Sequence, residues 1–547
     1  MISVVERLIE SWLDSQTERR YQPAFIQLLV SEGWSVLHNT RHSQIELGKD
    51  VIARDPSGVL HCFQLKGNPG SRVTKSEAQS LLDQVRELVE LPPPAAYRTS
   101  SDERHVAVFV TNGGIDEEAQ LVFEGVGQRT QNPLCPASKL ELVTRGQLLQ
   151  RFVKAAGEIW PTSIEGTRQI LNLMAQDGRS LPDPKQVGEI FEATAPRPEP
   201  MTSQPARNAR LSALLLVSEI VKSPWYATAN HYGLYMLTVL AAVHALRFAD
   251  QPNRLEGVRA YADLALDHCR DLMAEVRTQD FQPDLIWGDV LSEFDYLWER
   301  SRLVADCAST LLVSGAALEQ EDQATAANLV TKTYFAPMLW GLGAVPSYIV
   351  RYWAVCRVDA RRRVDVQFEG ALKAILLCAS SKGGHRPLAG PYYGFEDVWA
   401  LSAKLPFVGD DTIFDDSFDH RLWFARSMLY MLAKRNEKHA CKRLWAEFSQ
   451  STHEEPSLPV ERFYDARLVV DVGEIILKTY HRKDWAHLVS EAVDESQGSF
   501  LDGFDSLAWL IAAYMAIVPY RAWNGALMWV DHRLNKTWYG PGRTVSA

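Results

Sequence analysis

The first 152 residues alternate between short apolar runs and amphipathic stretches, whereas the rest of the chain has helical periodicity almost throughout. Runs rich in β-branched residues occur at 51–53, 59–65 and 105–111, with helical patterns around them. This mixture is typical of an α/β domain. Beyond residue 208, apolar residues recur at three- and four-residue spacing, which predicts a large all-helical region.

This pattern divides the chain into three predicted segments. Residues 1–152 form an α/β domain, residues 153–208 combine a helix with a Pro-rich linker, and residues 209–547 form a helical assembly or sensor region. The linker prediction rests on LPDPKQVGEIFEATAPRPEPMTSQPARNAR, residues 181–210. Each helical stripe of the last segment needs a neighbour to bury it, which predicts bundles or a short helical array.

Two of the apolar runs flank a turn sequence, and their spacing fixes which side chains meet. The segment Pro56–Gly58 suits a three-residue hairpin loop, a type I turn closed by glycine in the left-handed region. Counting back from this loop places Asp50 opposite Gln64, with their Cβ atoms about 5 Å apart. Lys66 shares their face because residues two apart on a strand point the same way.

A carboxylate, an amide and an ammonium that converge in this way suit phosphodiester hydrolysis. The carboxylate and amide oxygens can bind Mg²⁺, which keeps several waters and accepts phosphate oxygens. The neighbouring ammonium can orient an attacking water. An ordinary hairpin with a solvated charged face explains the spacing equally well, so the flanking sequence has to decide.

The flanking sequence carries a resemblance. Gly48-Lys49-Asp50 and Gln64-Leu65-Lys66 resemble the motif of the restriction-endonuclease-like PD-(D/E)xK superfamily, in the Mrr-like version with QxK. Three neighbouring stretches also resemble elements of that fold, in the same order. They are YQPAFIQLLVSEGWSVLHN (21–39), HVAVFVTNGGIDEEAQ (105–120) and LELVTRGQLLQRF (140–152). The resemblance covers about residues 15–152 and implies a restriction-endonuclease-like α/β/α domain.

The resemblance also implies roles for individual residues. Asp50 and Gln64 would hold Mg²⁺ or Mn²⁺, and Lys66 would be the catalytic lysine. The first helix of the family often adds a glutamate, for which Glu18 is the candidate here. A Tyr-Gln pair at this place resembles a related group of nucleases in antiphage defence, so Gln22 is a second candidate. Whether Glu18 or Gln22 completes the site stays open.

The implied function is a metal-dependent DNA endonuclease of bacterial antiphage defence, regulated by its helical region or by a partner.

The net charge of the chain bears on this hypothesis. The chain has a net charge of −11, and its first 152 residues hold 16 Lys and Arg against 19 Asp and Glu, a net of −3. Nucleic-acid binding then needs a local cationic cluster or another protein. We therefore expect a homo-oligomer or a complex with another defence protein such as an ATPase, acting on DNA or, alternatively, RNA.

One local cationic cluster is available near the predicted hairpin. Its members are close in sequence to the candidate site, where they form either a positive lip or scattered surface charge. They are Arg19, Arg20, Arg41, Lys49, Arg54, Lys66, Arg72 and Lys75.

Cysteines and apolar runs bear on the compartment. The seven cysteines include no C-x-x-C pair, which argues against a zinc knuckle or a secreted disulfide framework and favours a reducing cytoplasm. The longest apolar run, residues 507–523, is interrupted too early for a membrane span and predicts a buried helix. The N-terminus lacks the charge order of a signal peptide.

Two other functions remain open. The nuclease fold is inactive in the first, and the helical region carries a binding or assembly role. In the second, Arg482 and His487 resemble the R-x4-6-H motif of helical HEPN ribonucleases, although a surface arginine and a half-buried histidine are the simpler interpretation.

Overall fold

The computed structural model describes most of the chain, and its residues fall into separate ranges. These are 4–39, 48–156, 164–195, 204–246, 256–278, 294–332, 345–358, 366–379, 424–450, 452–457, 474–481, 483–496, 505–519 and 524–534, with residues 248 and 522.

A mixed sheet dominates the N-terminal part. Its strands are β1 Ser35–Asn39, β2 Val51–Arg54, β3 Leu60–Lys66, β5 His105–Thr111 and β7 Ala137–Val143, with a small separate pair, β4 Arg72–Val73 and β6 Gly114–Ile115. Among the described residues, the larger sheet has five strands in the order β1-β2-β3-β5-β7. β2 pairs antiparallel with β1 and β3, whereas β5 pairs parallel with β3 and β7.

Helices cover both faces of this sheet. They are α1 Val4–Ser15, α2 Glu18–Ser31, α3 Lys75–Ser80, α4 Leu82–Glu90, α5 Glu117–Gly127 and α6 Arg145–Ala156. Side chains alternate along each strand, so Phe63 and Leu65 pack with α1, α2 and α6, whereas Cys62 and Phe109 pack with α3, α4 and α5. Both faces of β3 are therefore buried, as is typical of a central strand.

The described residues in the rest of the chain are largely helical, as the periodicity predicts. The helices are α7 Ile164–Met174, α8 Pro184–Thr194, α9 Gln204–Val221, α10 Ser223–Ala227, α11 His231–Leu246, α12 Glu256–Thr278, α13 Phe294–Ser314, α14 Gln320–Lys332, α15 Val345–Val358, α16 Val366–Ala379, α17 Ala425–Lys434, α18 Lys438–Gln450, α19 Trp485–Ser496, α20 Ala508–Ile517 and α21 Asn524–Leu534. The layout of a sheet domain followed by a mainly helical region agrees with the sequence.

Two details differ from the expectation of helices joined by a linker. The Pro-rich stretch contains α8, because Pro184 occupies the first helical position, where its missing N–H is harmless, and Ile190 and Phe191 are buried. The region predicted as all-helical also contains an antiparallel pair, β8 Thr452–Ser457 and β9 Glu474–Thr479. β8 gives no strand signal, because its sequence THEEPS contains Pro456 and lacks apolar alternation.

Contacts group the chain into two units. Unit 1 comprises 1–178, 189–227 and 245–264, and unit 2 comprises 179–188, 228–244 and 265–547. The division into segments at residues 152 and 208 stays a prediction.

The apolar run near the C-terminus forms a buried helix, as predicted. All residues of α20 from Ala508 to Ala516 are buried. Among the described helices, none combines the length and the apolar character needed to cross a membrane.

Asp306 is a buried carboxyl in the core of unit 2. It is 3% exposed, and the Ser347 hydroxyl donates to its Oδ2 at 3.1 Å. Burial raises the pKa of Asp306 from its usual 3.8 to about 6, although Arg302 and Arg351 oppose the shift. Between these two values the folded state binds more protons than the unfolded state, so this group makes unit 2 less stable as the pH rises.

We expect Asp306→Asn to be more stable than the wild type at pH 7.5 by about 1–3 kcal/mol. The amide keeps an acceptor for Ser347 but removes the buried charge. The measurement is the urea midpoint at pH 4 and pH 7.5, where the advantage should be confined to the higher pH. An asparagine variant that is less stable at pH 7.5 would show that the arginines outweigh burial.

Candidate functional site

The hairpin β2–β3 has the loop and register that the sequence predicts. The Asp55 amide donates to the Val59 carbonyl at 3.0 Å, and the Gly58 amide donates to the Asp55 carbonyl at 2.8 Å. Gly58 has φ +88°, in the left-handed region. Ala53 faces His61 and Val51 faces Phe63, so the three-residue loop is confirmed.

This register brings Asp50 and Gln64 into direct contact. The Gln64 Nε2 atom donates to Asp50 Oδ2 at 2.7 Å, and the Leu65 backbone N–H donates to the same oxygen at 2.6 Å. Both side chains are buried, at 8% and 5% exposure. Two N–H donors to one oxygen fix the orientation of the carboxylate.

Lys66 contacts the other predicted acidic residue. Its Nζ lies 3.1 Å from Oε2 of Glu18, the first residue of α2. The Lys66 side chain is 26% exposed and that of Glu18 is 33% exposed. The ammonium therefore lies at the end of the site that solvent reaches, two residues beyond the buried Gln64.

Gln22 lies one turn after Glu18 on α2. Its Nε2 donates at 2.8 Å to Oδ1 of Asn39, the last residue of β1. The described contacts thus join the predicted site residues in two pairs, Asp50 with Gln64 and Glu18 with Lys66. They link Gln22 to the neighbouring strand end.

The segment before Asp50 is anchored to α4. Gly48 has φ +65°, and a Cβ there would lie 2.8 Å from the Gln84 carbonyl oxygen. Lys49 is 1% exposed and donates to the Glu87 carbonyl at 3.1 Å. Burial lowers the pKa of Lys49 to about 8. Contacts with α4 therefore hold the segment Gly48-Lys49-Asp50 in place where the chain enters the hairpin.

Two residues support the site from a distance, and sequence analysis did not assign them a role. Tyr21 donates from its hydroxyl to the carbonyl groups of Lys66 and Val110, at 3.2 and 3.3 Å. Asn112 accepts from the Asn68 amide at 2.7 Å and donates to two carbonyls at the end of α1. Two features of the sequence could have pointed to these residues. One is the Tyr21-Gln22 pair, and the other is the position of the polar Asn112 directly after strand β5.

Four of the eight cations in the local cluster pair with carboxylates. Arg54 pairs with Glu103 at 2.6 Å, Lys75 with Glu118 at 3.2 Å, and Arg72 with Asp116 at 3.7 Å. Lys49 is buried, and Lys66 pairs with Glu18. Arg41 lies outside the described residues. Scattered, paired surface charge is the better description of this group.

No family model, curated protein or solved structure matches the chain. The chemistry of the site therefore rests on its own residues. Within the described ranges, no group of three or more His, Cys, Asp and Glu side chains could hold a metal ion. A cation here would depend on the Asp50 carboxylate, the Gln64 amide and Glu18.

The structure describes one residue of the alternative ribonuclease motif, the histidine. His487 is 60% exposed, and its Nε2 lies 3.3 Å from Oε1 of Glu491 on the same helix. Arg482 lies outside the described residues.

Proposed function

We propose that unit 1 is a metal-dependent nuclease that hydrolyses phosphodiester bonds in DNA. The observation that carries the proposal is the hairpin register, which sets Asp50 against Gln64 and leaves Lys66 two residues further along the same strand. The mixed sheet with helices on both faces supports it, because the resemblance of the sequence implies an α/β/α nuclease domain.

The donor set suits a hard cation such as Mg²⁺ or Mn²⁺. Asp50 and Gln64 would hold the ion through carboxylate and amide oxygens, and Glu18 would add a second carboxylate. When bound, the ion would lower the pKa of a water and compensate charge on a phosphate oxygen. Three protein oxygens would leave about half of the octahedral positions of Mg²⁺ to water and phosphate oxygens.

The protein residues have separate tasks in this proposal. Asp50 keeps one orientation because Gln64 and the Leu65 amide hold its Oδ2. Lys66 orients the attacking water or stabilises the negative charge that develops on the phosphate. Glu18 holds the Lys66 ammonium at the solvent side until nucleic acid arrives.

We further propose that this nuclease is a bacterial antiphage effector acting in the cytoplasm, with the helical region setting when it cuts. The paired cations around the site favour a partner that brings nucleic acid to it, either a second copy or another defence protein such as an ATPase. The described cysteines that are free and buried suit a reducing compartment.

The test is cleavage of supercoiled plasmid DNA and of single-stranded RNA by the full chain, with Mg²⁺, with Mn²⁺ and with EDTA. We expect the plasmid to be nicked or linearised only in the presence of metal, with RNA left intact. RNA cleavage with intact DNA would change the substrate class. Folded protein that cuts neither, alone or with the products of neighbouring genes, would contradict the proposal.

A second function, an inactive nuclease fold in an assembly protein, is favoured by one observation. Gln64 is neutral and points its amide nitrogen at Asp50, so the buried contact contains a single carboxylate. Calorimetric titration with Mn²⁺ separates the two functions. The nuclease requires binding that Asp50→Asn abolishes, whereas the assembly protein requires none.

A further inference from the structure

We propose that Tyr21 is a positioning residue of the candidate site, whose hydroxyl holds the main chain at Lys66. This inference rests on the proposed phosphodiester chemistry, in which the place of the Lys66 ammonium matters. Tyr21 itself would not touch the substrate, because its side chain is fully buried.

The contacts of Tyr21 join α2 to the carboxyl ends of two parallel strands. The hydroxyl lies 3.2 Å from the Lys66 carbonyl oxygen on β3 and 3.3 Å from the Val110 carbonyl oxygen on β5. Lys66 pairs with Thr111 at the last position of the β3–β5 ladder. The hydroxyl therefore supports the backbone at the point where the regular strand pairing ends.

The backbone after Lys66 has little freedom to move towards α2. A Cβ on Gly67 would lie 2.3 Å from the backbone nitrogen of Glu18, so only glycine fits here. Tyr21 is three residues after Glu18 on the same helix. One hydroxyl thus ties together the chain segments that carry both members of the Glu18–Lys66 pair.

Tyr21 is suited to hydrogen-bond donation and unsuited to proton transfer. Burial raises the pKa of its phenol well above the usual 10, and the charges of Glu18 and Asp50 raise it further. The hydroxyl keeps its proton at every physiological pH and remains a donor to the two carbonyl groups. Its contribution is geometric, and displacement of a reacting group by about 1 Å can cost 100-fold in rate.

The test compares Tyr21→Phe with Tyr261→Phe in the full chain. Tyr261 is a matched control, because it is also fully buried in unit 1 and donates to a main-chain carbonyl, that of Leu215, at 2.8 Å. Both variants keep the aromatic ring and lose one hydroxyl. We expect Tyr21→Phe to lower kcat by about 10- to 100-fold with little change in KM, and Tyr261→Phe to leave both constants unchanged.

A second readout is independent of cleavage. The rate at which an N-hydroxysuccinimide ester acylates Lys66, followed by mass spectrometry, should rise several-fold in Tyr21→Phe and stay at the wild-type value in Tyr261→Phe. Equal kcat in the two variants of an active enzyme would overturn the inference. If wild-type protein cuts nothing with either metal, the proposed function fails. Unchanged Lys66 acylation in Tyr21→Phe would then overturn the positioning role as well, and faster acylation would support it.

Discussion

Replacing Lys66 with alanine is expected to lower metal-dependent plasmid cleavage by about 10²- to 10⁴-fold, the usual contribution of a charged group that acts in the transition state. The fold should persist, because the Lys66–Glu18 pair is partly exposed and such pairs contribute about 0–1 kcal/mol. Initial rates of nicking under saturating Mg²⁺, normalised to folded protein, give the comparison.

Two control variants show whether the effect belongs to the site. Lys139→Ala removes another lysine of unit 1 that pairs with a carboxylate, Glu141, but whose side chain is 58% exposed and lies on β7, outside the hairpin. His487→Ala removes the histidine of the alternative ribonuclease motif. Both should cut like the wild type. Full activity of Lys66→Ala together with loss in His487→Ala would move the chemistry to the helical region.

Replacing Asp531 with alanine is expected to lower the free energy of unfolding of unit 2 by about 3–5 kcal/mol, because it leaves buried cations without a counter-charge. The Asp531 carboxylate accepts from Lys434 Nζ at 2.9 Å, from Arg435 Nη2 at 2.6 Å and from Trp353 Nε1 at 2.9 Å. The Lys434 and Arg435 side chains are 5% and 6% exposed. Burial opposes ionisation, yet the two cations hold the pKa of Asp531 well below its usual value.

Urea unfolding followed by tryptophan fluorescence measures this effect. The control is Asp505→Ala. Asp505 pairs with Arg533 at 2.9 Å, but its side chain is 53% exposed. This variant should therefore lose about 1 kcal/mol or less of the free energy of unfolding. Equal losses in the two variants would show that unit 2 rearranges to solvate Lys434 and Arg435. The low pKa also predicts that the stabilisation of the wild type by ionised Asp531 persists in mild acid. It is lost only as the pH falls through the pKa that Asp531 has in the folded state.

The hairpin could be predicted because its determinants are local. The loop Pro56–Gly58 sets the turn, the turn sets the register, and the register sets which side chains face each other. Alternation then predicts that Phe63 and Leu65 join the core. Each step uses residues fewer than twenty positions apart, so one sequence was sufficient.

The supporting contacts could not be predicted, because they join distant parts of the chain. Tyr21 meets Val110 across 89 positions, and Asn112 meets Leu13 across 99. No local periodicity encodes such pairs. The burial of Asp50 and Gln64 was also missed, since it depends on α4 covering the second face of β3. The strand β8 was not predicted because its residues have poor strand propensity. Its backbone forms a strand by hydrogen bonding to β9, which is distant in sequence.

The cations around the hairpin that pair with carboxylates affect how DNA binding would depend on ionic strength. A lysine or arginine that meets a phosphate normally releases a condensed counterion, and this release makes binding weaken steeply as salt is added. Arg54, Arg72 and Lys75 already hold carboxylates, so their encounter with a polyanion exchanges one partner for another. Association of this surface with DNA would therefore depend only weakly on salt, and a steep dependence in an assembled complex would identify cations of the partner.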